Sequence, residues 1–200
     1  MIFVGENRTK LQLDQALRTL LREKRPEQIR VRELTELCGI RRQSFYYHFT
    51  DVFDLLRWSV ERTGALLAQR QERCLTWQQA LRDLLGYLAE NRDYCLAVRG
   101  ALGRAGLRQL LGAAVERMLE QTAIYYRGRC GGERAVVEAD QASCAAAMAL
   151  GLLDGWLSGD LAQSPEELTA TLEQVVRQGM LGAMWQNYPN WGSSAGALQR

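Results

Sequence analysis

The side chains best suited to binding a partner lie in one short stretch of the sequence, residues 39–49. Phe45 and Phe49 are one helical turn apart, so they share an inward face. The other face carries a cation, an amide and two phenols, supplied by Arg42, Gln43, Tyr46 and Tyr47. Groups of these types contact phosphates and the edges of bases. The stretch therefore predicts a helix that reads nucleic acid.

A second short helix is predicted just before this one, ending at Gly39. Its apolar positions follow an i, i+3, i+6, i+7 pattern, namely Val31, Leu34, Leu37 and Cys38. Two short helices with apolar faces, joined at a glycine turn, are typical of a helix-turn-helix.

An amphipathic helix from Arg8 to about Lys24 is expected to pack behind this pair, with residues 1–7 as a loose arm. Its buried stripe is Leu13, Ala16, Leu17, Leu20 and Leu21. Pro26 lies just past its end. We therefore predict a DNA-binding domain of three helices over residues 1–50.

The remaining residues predict helices throughout and no strand. A long helix capped by Thr50 runs to about Cys74, and a second, capped by Thr76, covers 77–90. Further helices are expected at about 93–101, 107–128 and 134–158, with a break at Gly100, Gly103 and Gly106. The last helix starts at the capping box Ser164–Glu167. We predict an all-α protein of about nine helices, with a helical domain over 51–188 and a disordered tail over 189–200.

Composition favours a globular, DNA-binding protein and argues against an enzyme. Residues 1–74 carry 14 Lys and Arg against 10 Asp and Glu, a net charge of +4, whereas the whole chain has +2. A basic N-terminal part fits contact with nucleic acid, although a solvated surface of mixed charge would look similar. His48 is the only histidine, and no metal-like spacing or phosphate loop occurs, so we expect neither catalysis nor a cofactor.

Cysteine usage predicts the compartment. Five cysteines without a Cys-x-x-Cys pair argue against a disulfide framework and for a reducing cytoplasm. No apolar run reaches the length of a membrane span.

From Ile29 to Leu56 the chain resembles the tetracycline-repressor (TetR) family of bacterial regulators. The resemblance covers the Gly39 turn, the aromatic pair of the reading helix, and the Phe-x-Asp-x-x-x-Leu-Leu entry into the next helix. The Arg-Gln-Ser-Phe-Tyr-Tyr-His-Phe segment is most similar to the branch that regulates dihydroxyacetone-kinase operons.

The resemblance assigns DNA-contacting roles to specific positions. The base-reading positions fall on Arg41, Arg42, Gln43 and Ser44, and the phosphate-contacting positions on Tyr46 and His48. We add Arg30 and Tyr47 as candidates, with Tyr47 expected to be partly buried. Arg30 and Arg41 stand where the family often has hydroxyl caps, and Val52 stands where it usually has a lysine. The alternative for each residue is a solvated or packed position without contact to DNA.

The resemblance also implies a small-molecule effector and a homodimer. Candidate effector-lining residues are Trp77, Tyr87, Tyr94, Met118, Tyr125 and Trp156. Candidate dimer contacts are the small and apolar residues Ala142, Ala145, Ala149, Leu153, Leu172, Val175, Val176, Gly179 and Ala183. The alternative for both sets is packing within the core of one chain.

Two functions stay open from the sequence. The first is a homodimeric regulator that binds a palindromic operator through residues 41–49 and is switched by an effector. The second is a helix-turn-helix interaction protein, or co-activator, that needs a partner protein or ligand and binds DNA poorly alone.

Overall fold

A computed structural model describes residues 3–129, 139–172 and 174, in which the regular secondary structure is helical and no strand occurs. The helices are α1 (Phe3–Leu20), α2 (Val31–Cys38), α3 (Arg42–His48), α4 (Val52–Gln71), α5 (Trp77–Glu90), α6 (Arg92–Arg129) and α7 (Ala139–Ser158), with a short 3-10 helix at Pro26–Gln28. Residues 165–172 are helical again. The all-α prediction is confirmed, and the predicted number of about nine helices is approximately right.

Helix boundaries differ from the prediction at both ends of α1 and in the middle of α6. α1 begins at Phe3, so residues 3–7 are helical instead of forming a loose arm, and it ends at Leu20. The predicted break at three glycines is confined to Gly103, whose φ of 65° and ψ of −162° are not helical. Gly100 and Gly106 continue the helix, because a glycine permits a break without requiring one.

Local capping explains where several helices begin or end. At the end of α2, Gly39 has φ 64°. There the Ile40 amide donates to the Thr35 carbonyl at 3.0 Å and the Gly39 amide to Glu36 at 3.2 Å, a glycine stop of the Schellman type. The Gln79 amide donates to the Thr76 hydroxyl at 3.2 Å, which confirms Thr76 as a cap.

The last predicted helix starts as expected. The Ser164 amide donates to the Glu167 carboxylate at 2.8 Å, and the Glu167 amide donates back to the Ser164 hydroxyl at 3.2 Å. This reciprocal pair confirms the capping box.

The cap of α4 differs from the prediction by one residue. The helix starts at Val52, and Asp51 accepts a hydrogen bond from the Asp54 amide at 2.8 Å. Thr50 lies outside the helix, and its amide donates to the Asp54 carboxylate at 2.9 Å. The carboxylate of Asp51 therefore does the capping that the sequence suggested for the Thr50 hydroxyl.

The chain packs as two compact units as far as it is described. One is formed by Met1–Arg70 with Gly86–Ala114, the other by Gln71–Leu85 with Val115–Arg200. The predicted functional boundary at residue 50 falls inside the first unit and stays a prediction.

The first unit contains the helix-turn-helix. α1 packs on α2 and α2 on α3, with Leu13, Leu17 and Leu34 fully buried among them. Leu37, predicted to be buried, is instead 57% exposed. Leu37 comes six residues after Val31, about 240° around the helix from it, so it lies beyond the edge of the buried stripe of α2.

Within this unit α4 and α6 approach each other closely at Gly64. A Cβ added there would lie 2.7 Å from the Gln109 carbonyl oxygen and 3.1 Å from that of Leu110. Only a residue without a side chain permits this backbone contact.

Candidate nucleic-acid interface

The face of α3 that was predicted to read DNA is open to solvent. Arg42 and Gln43 are exposed, Tyr46 is 59% exposed and Tyr47 is 75% exposed. The expectation that Tyr47 is partly buried is wrong. Four polar side chains therefore lie together on one accessible helix of seven residues.

The opposite face of α3 anchors the helix through aromatic packing. Phe45 and Phe49 are buried as predicted, with ring centroids 5.9 Å apart. The Phe49 ring lies 5.7 Å from that of Trp58 on α4. Because aromatic rings carry much apolar area on few rotatable bonds, this packing holds the exposed face in one orientation.

Arg30 and Arg41 occupy the N-cap positions of α2 and α3 with extended backbones, and neither side chain makes a capping bond. At α2 the missing cap is partly replaced, because the Arg30 amide donates to Glu33 at 3.0 Å. Both arginines are exposed. Their guanidinium groups are therefore available to a partner instead of serving the helix ends.

Ser44 and His48 are half-buried at the sides of α3. Their contact with DNA stays a prediction, as it does for Arg30, Arg41, Arg42, Gln43, Tyr46 and Tyr47.

The start of α4 is acidic and carries no cation in its first turn. Val52, at the position where the resemblance expects a lysine, is only 7% exposed. Asp54 accepts bonds from the amide and the hydroxyl of Thr50, and Asp51 caps the helix. These carboxylates satisfy local donors and oppose a phosphate at this helix end.

A buried polar cluster between α1, α4 and α6 was missed from the sequence. Arg18 on α1 donates to Asp14 at 3.2 Å, and to Ser59 at 3.2 Å and Thr63 at 2.5 Å on α4. The Ser59 hydroxyl also donates to Asp14. The signal was available in the sequence, because Asp14 interrupts the apolar stripe of α1.

The same cluster continues into α6 through Tyr94. Its hydroxyl lies 2.8 Å from that of Ser59, and the Arg18 guanidinium carbon lies 3.8 Å from its ring centroid. Burial raises the pKa of Tyr94. Burial alone would lower the pKa of Arg18, but Tyr94 and Asp14 outweigh it and the pKa is raised. The cluster therefore joins α1, α4 and α6 around a cation that stays charged.

The six predicted effector residues fall in different parts of the molecule. Tyr87 and Tyr94 belong to the first unit, where burial raises the pKa of Tyr87 to about 12. Trp77, Met118 and Trp156 are buried in the second unit. The side chain of Tyr125 lies outside the described residues. Their role as a binding site stays a prediction.

The second unit contains buried polar atoms without a hydrogen-bond partner among the described residues. They are Nε1 of Trp77 and the amide oxygens of Gln71 and Gln121. The Gln121 amide nitrogen donates to the Gln71 and Cys74 carbonyls at 3.0 and 3.2 Å, so both glutamines lie at the connection between α4 and α5. Trp77, 2% exposed, begins α5 at the end of that connection.

The predicted dimer residues are divided by burial. Ala149, Leu153 and Leu172 are buried within one chain, whereas Ala145 is half-buried. Val175, Val176, Gly179, Ala183 and the side chain of Ala142 lie outside the described residues. The exposed face of α7 instead carries Cys144, Ala147, Met148 and Gly151. The dimer contacts stay a prediction.

Among the described residues, no group of His, Cys, Asp and Glu side chains is arranged to hold a metal ion. Within the same ranges, no helix is long and apolar enough to cross a membrane.

Residues 75–178 match a family model, TetR_C_8, described as a transcriptional regulator C-terminal region. Over 79 residues the chain is 34% identical to the HTH-type dhaKLM operon transcriptional activator DhaS of Lactococcus lactis subsp. lactis (strain IL1403). That match covers 40% of this chain and 42% of the relative, so it spans less than half of the curated protein's length.

Three solved structures share the fold at low sequence identity. The dihydroxyacetone kinase operon activator DhaS has a TM-score of 0.65 at 20% identity, covering 86% of this chain and 96% of that one. A TetR-family transcriptional regulator from Mesorhizobium loti MAFF303099 has a TM-score of 0.59 at 20% identity, covering 88% and 96%. RolR without ligand has 0.57 at 19%, covering 87% and 96%.

Proposed function

Because the chain belongs to the TetR family of transcriptional regulators, we propose that it is a homodimer that reads a palindromic operator through α3. It is a regulator and not an enzyme. A small effector, bound in the helical part that follows the DNA-binding head, switches its affinity for DNA. Since it would act on bacterial DNA, the proposal includes a location in the bacterial cytoplasm.

The observation that carries this proposal is the two-sided character of α3. Phe45 and Phe49 fix one face in the core, while Arg42 and Gln43 stand exposed on the other. Arginine pairs in bidentate fashion with guanine and glutamine with adenine, in the major groove, where an α-helix fits. A homodimer doubles these contacts and places two heads on half-sites one or more helical turns apart.

Selection of binding sites from random duplex DNA, repeated at two salt concentrations, tests the proposal. The expected winner is a palindrome, bound specifically at both. Weak binding that shows no sequence preference and disappears with modest salt would instead support the alternative, a protein that needs a partner or ligand to bind DNA.

Arg42→Ala tests the reading helix itself. We expect a loss of about 1–3 kcal/mol in operator affinity and a relaxed preference at one position of each half-site. Arg32→Ala is the control, because it removes an equal charge from α2, where Arg32 is paired with Glu36. An unchanged preference in the selection with Arg42→Ala would remove Arg42 from the reading face.

The effector part of the proposal is supported by the unpartnered polar atoms at the connection between α4 and α5. A buried donor or acceptor without a partner destabilises a fold by about 1–3 kcal/mol, so the Trp77 nitrogen and the two glutamine oxygens suit a polar ligand. An effector must raise the melting temperature and change operator affinity together, since it acts only through its preference for one state. Trp77→Phe keeps an aromatic ring but removes the donor, and it should weaken that response.

A further inference from the structure

The cations near α3 are unevenly distributed along that helix. Its amino-terminal end has Arg41 and Arg42, both exposed. Its carboxyl-terminal end leads into Asp51 and Asp54, with the buried Val52 between them. A helix of seven residues is about 10 Å long, close to the width of the major groove of about 12 Å. Both ends of α3 therefore come near a phosphate backbone when the helix lies in the groove.

One cation from a different helix reaches the acidic end. The Lys10 ammonium of α1 lies 5.9 Å from the ring centroid of Phe49, the residue just after α3, and 6.0 Å from that of Trp58 in the second turn of α4. Both distances are within the range of a cation–π contact. The two rings hold the ammonium beside the turn between α3 and α4.

The charge of Lys10 is not used by an ion pair within the described residues. By contrast, Lys24, four residues after the end of α1, pairs with Glu33, and Arg32 pairs with Glu36. Lys10 is also fixed at its base, because α1 is already helical from Phe3. A cation that is positioned in advance loses little conformational freedom when it meets an anion.

We propose that Lys10 binds a backbone phosphate of DNA beside the turn between α3 and α4, so that α1 supplies the cation missing from the start of α4. The inference rests on the proposed function, because it presupposes that α3 lies in a groove of duplex DNA. Lys10 would position the head on the backbone without reading sequence.

The test is the salt dependence of binding to a random-sequence duplex of 30 base pairs. Each phosphate neutralised contributes about 0.9 to the slope of log affinity against log salt concentration. Lys10→Gln should reduce the magnitude of the slope by about 0.9 per head, and Lys10→Arg should leave it unchanged. Lys10→Gln also removes the cation–π contacts, and the melting temperatures of the two variants show how far that loss destabilises the protein.

Arg108→Gln is the matched control for loss of one charge. Arg108 is exposed on α6, next to Gln109, whose backbone packs on Gly64. Gly64 lies twelve residues from Val52, about 18 Å along α4. Loss of the Arg108 charge should therefore leave the slope of log affinity against log salt concentration unchanged.

The outcomes separate the two proposals. If the unmodified protein fails to bind duplex DNA, the proposed function is wrong. If it binds and Lys10→Gln has the same slope, or if Arg108→Gln lowers the slope equally, the phosphate contact of Lys10 is wrong while DNA binding stands.

Discussion

Asp14 is the buried carboxylate of a polar cluster that joins three helices. It is 5% exposed and is stabilised by Arg18, by the Ser59 hydroxyl and by Arg62 at 3.6 Å. A buried charge is tolerated only with such partners. The cluster fixes α1, which packs on α2 of the helix-turn-helix, to α4 and α6.

Removing this carboxylate should destabilise the protein. Asp14→Ala leaves Arg18 without its counter-ion, and we expect a loss of about 3 kcal/mol in the free energy of unfolding. Arg18 is partly exposed, which keeps the loss at the lower end of the range for buried pairs. Urea unfolding followed by circular dichroism measures it.

Glu23→Ala is the control for Asp14→Ala, because it removes an exposed carboxylate just after α1. Its effect should stay within about 0.5 kcal/mol. Equal stabilities of the two variants would show that the cluster contributes nothing to the fold.

At the residue scale, the burial of Phe45 and Phe49 followed from the sequence, whereas the partners of Asp14 did not. Phe45 and Phe49 were predicted to be buried because two aromatic rings one turn apart require a shared core. The partners of Asp14 could not be predicted, because Ser59 is distant in sequence and meets Asp14 only through the packing of α1 and α4. Tyr94 of α6 joins the cluster through the Ser59 hydroxyl.

At the scale of elements, the glycine after α2 holds the helix-turn-helix together. Gly39→Ala places a side chain on a backbone with φ 64°, and no neighbour lies within 4 Å of the new Cβ. The strain is therefore conformational, and we expect a loss of about 1–2 kcal/mol. Thermal unfolding measures this loss.

Gly86→Ala is the matched substitution with the opposite sign. Gly86 lies inside α5, again with nothing within 4 Å of an added Cβ. Alanine should stabilise this helix by about 0.5–1 kcal/mol. If both variants lose stability equally, the left-handed turn is not the cause of the Gly39 effect.

Glu33 links the end of α1 to the start of α2 and should make stability depend on pH. Its hydrogen bond with Lys24, and then that with the Arg30 amide, hold its pKa below the ordinary value of 4.5. Its charged form is therefore favoured by folding, and the stabilisation is complete above about pH 4.5 and lost as the pH falls through the lowered pKa.

Glu33→Gln should therefore be less stable than the unmodified protein at neutral pH and equally stable in strong acid. Lys24→Gln should show the same pH dependence, and combining the two should add little. A stability difference that persists unchanged at low pH would contradict the ion pair. Denaturant unfolding at a series of pH values distinguishes these results.

Helix positions followed well from the sequence wherever a capping residue marked the end. α5 begins and ends as predicted, because Thr76 caps it and its apolar positions follow one stripe. The end of α1 and the continuity of α6 did not follow, because Leu21 extends the same stripe past the helix end and the glycines of α6 permit two backbones. The cap of α4 could have been either Thr50 or Asp51, since both side chains accept hydrogen bonds from amides.

For the whole molecule, the family and the all-helical class followed from the sequence, whereas the surface available to a second copy did not. The apolar pattern of α7 cannot distinguish residues that face the same chain from those that face a partner. Burial now distinguishes them, because Leu153 is enclosed by its own chain and Met148 is 48% exposed.

The exposed face of α7 is where we expect two copies to meet. Cys144, Met148 and Gly151 follow one helical stripe, with Ala147 beside it, and small residues allow close approach. A helix of 20 residues is about 30 Å long, and a stable dimer buries about 1,200–2,000 Å² in total. One helix per subunit is too small for this area, so the helix that begins at residue 165 must contribute as well.

Met148→Arg should therefore produce a monomer, because each copy would bring a like charge into an apolar contact that holds no counter-ion for it. Sedimentation equilibrium should show the mass falling from that of a dimer to 22.6 kDa, while the circular dichroism spectrum stays helical. Ala65→Arg adds the same charge to an exposed position on α4 and should remain dimeric.

The Met148→Arg monomer should still bind random duplex DNA through one head. It should lose its preference for a palindrome over a single half-site, since only a dimer holds two heads at a fixed spacing. A dimer of unchanged affinity in Met148→Arg would place the interface elsewhere, and a monomer that still prefers the palindrome would separate operator reading from α7.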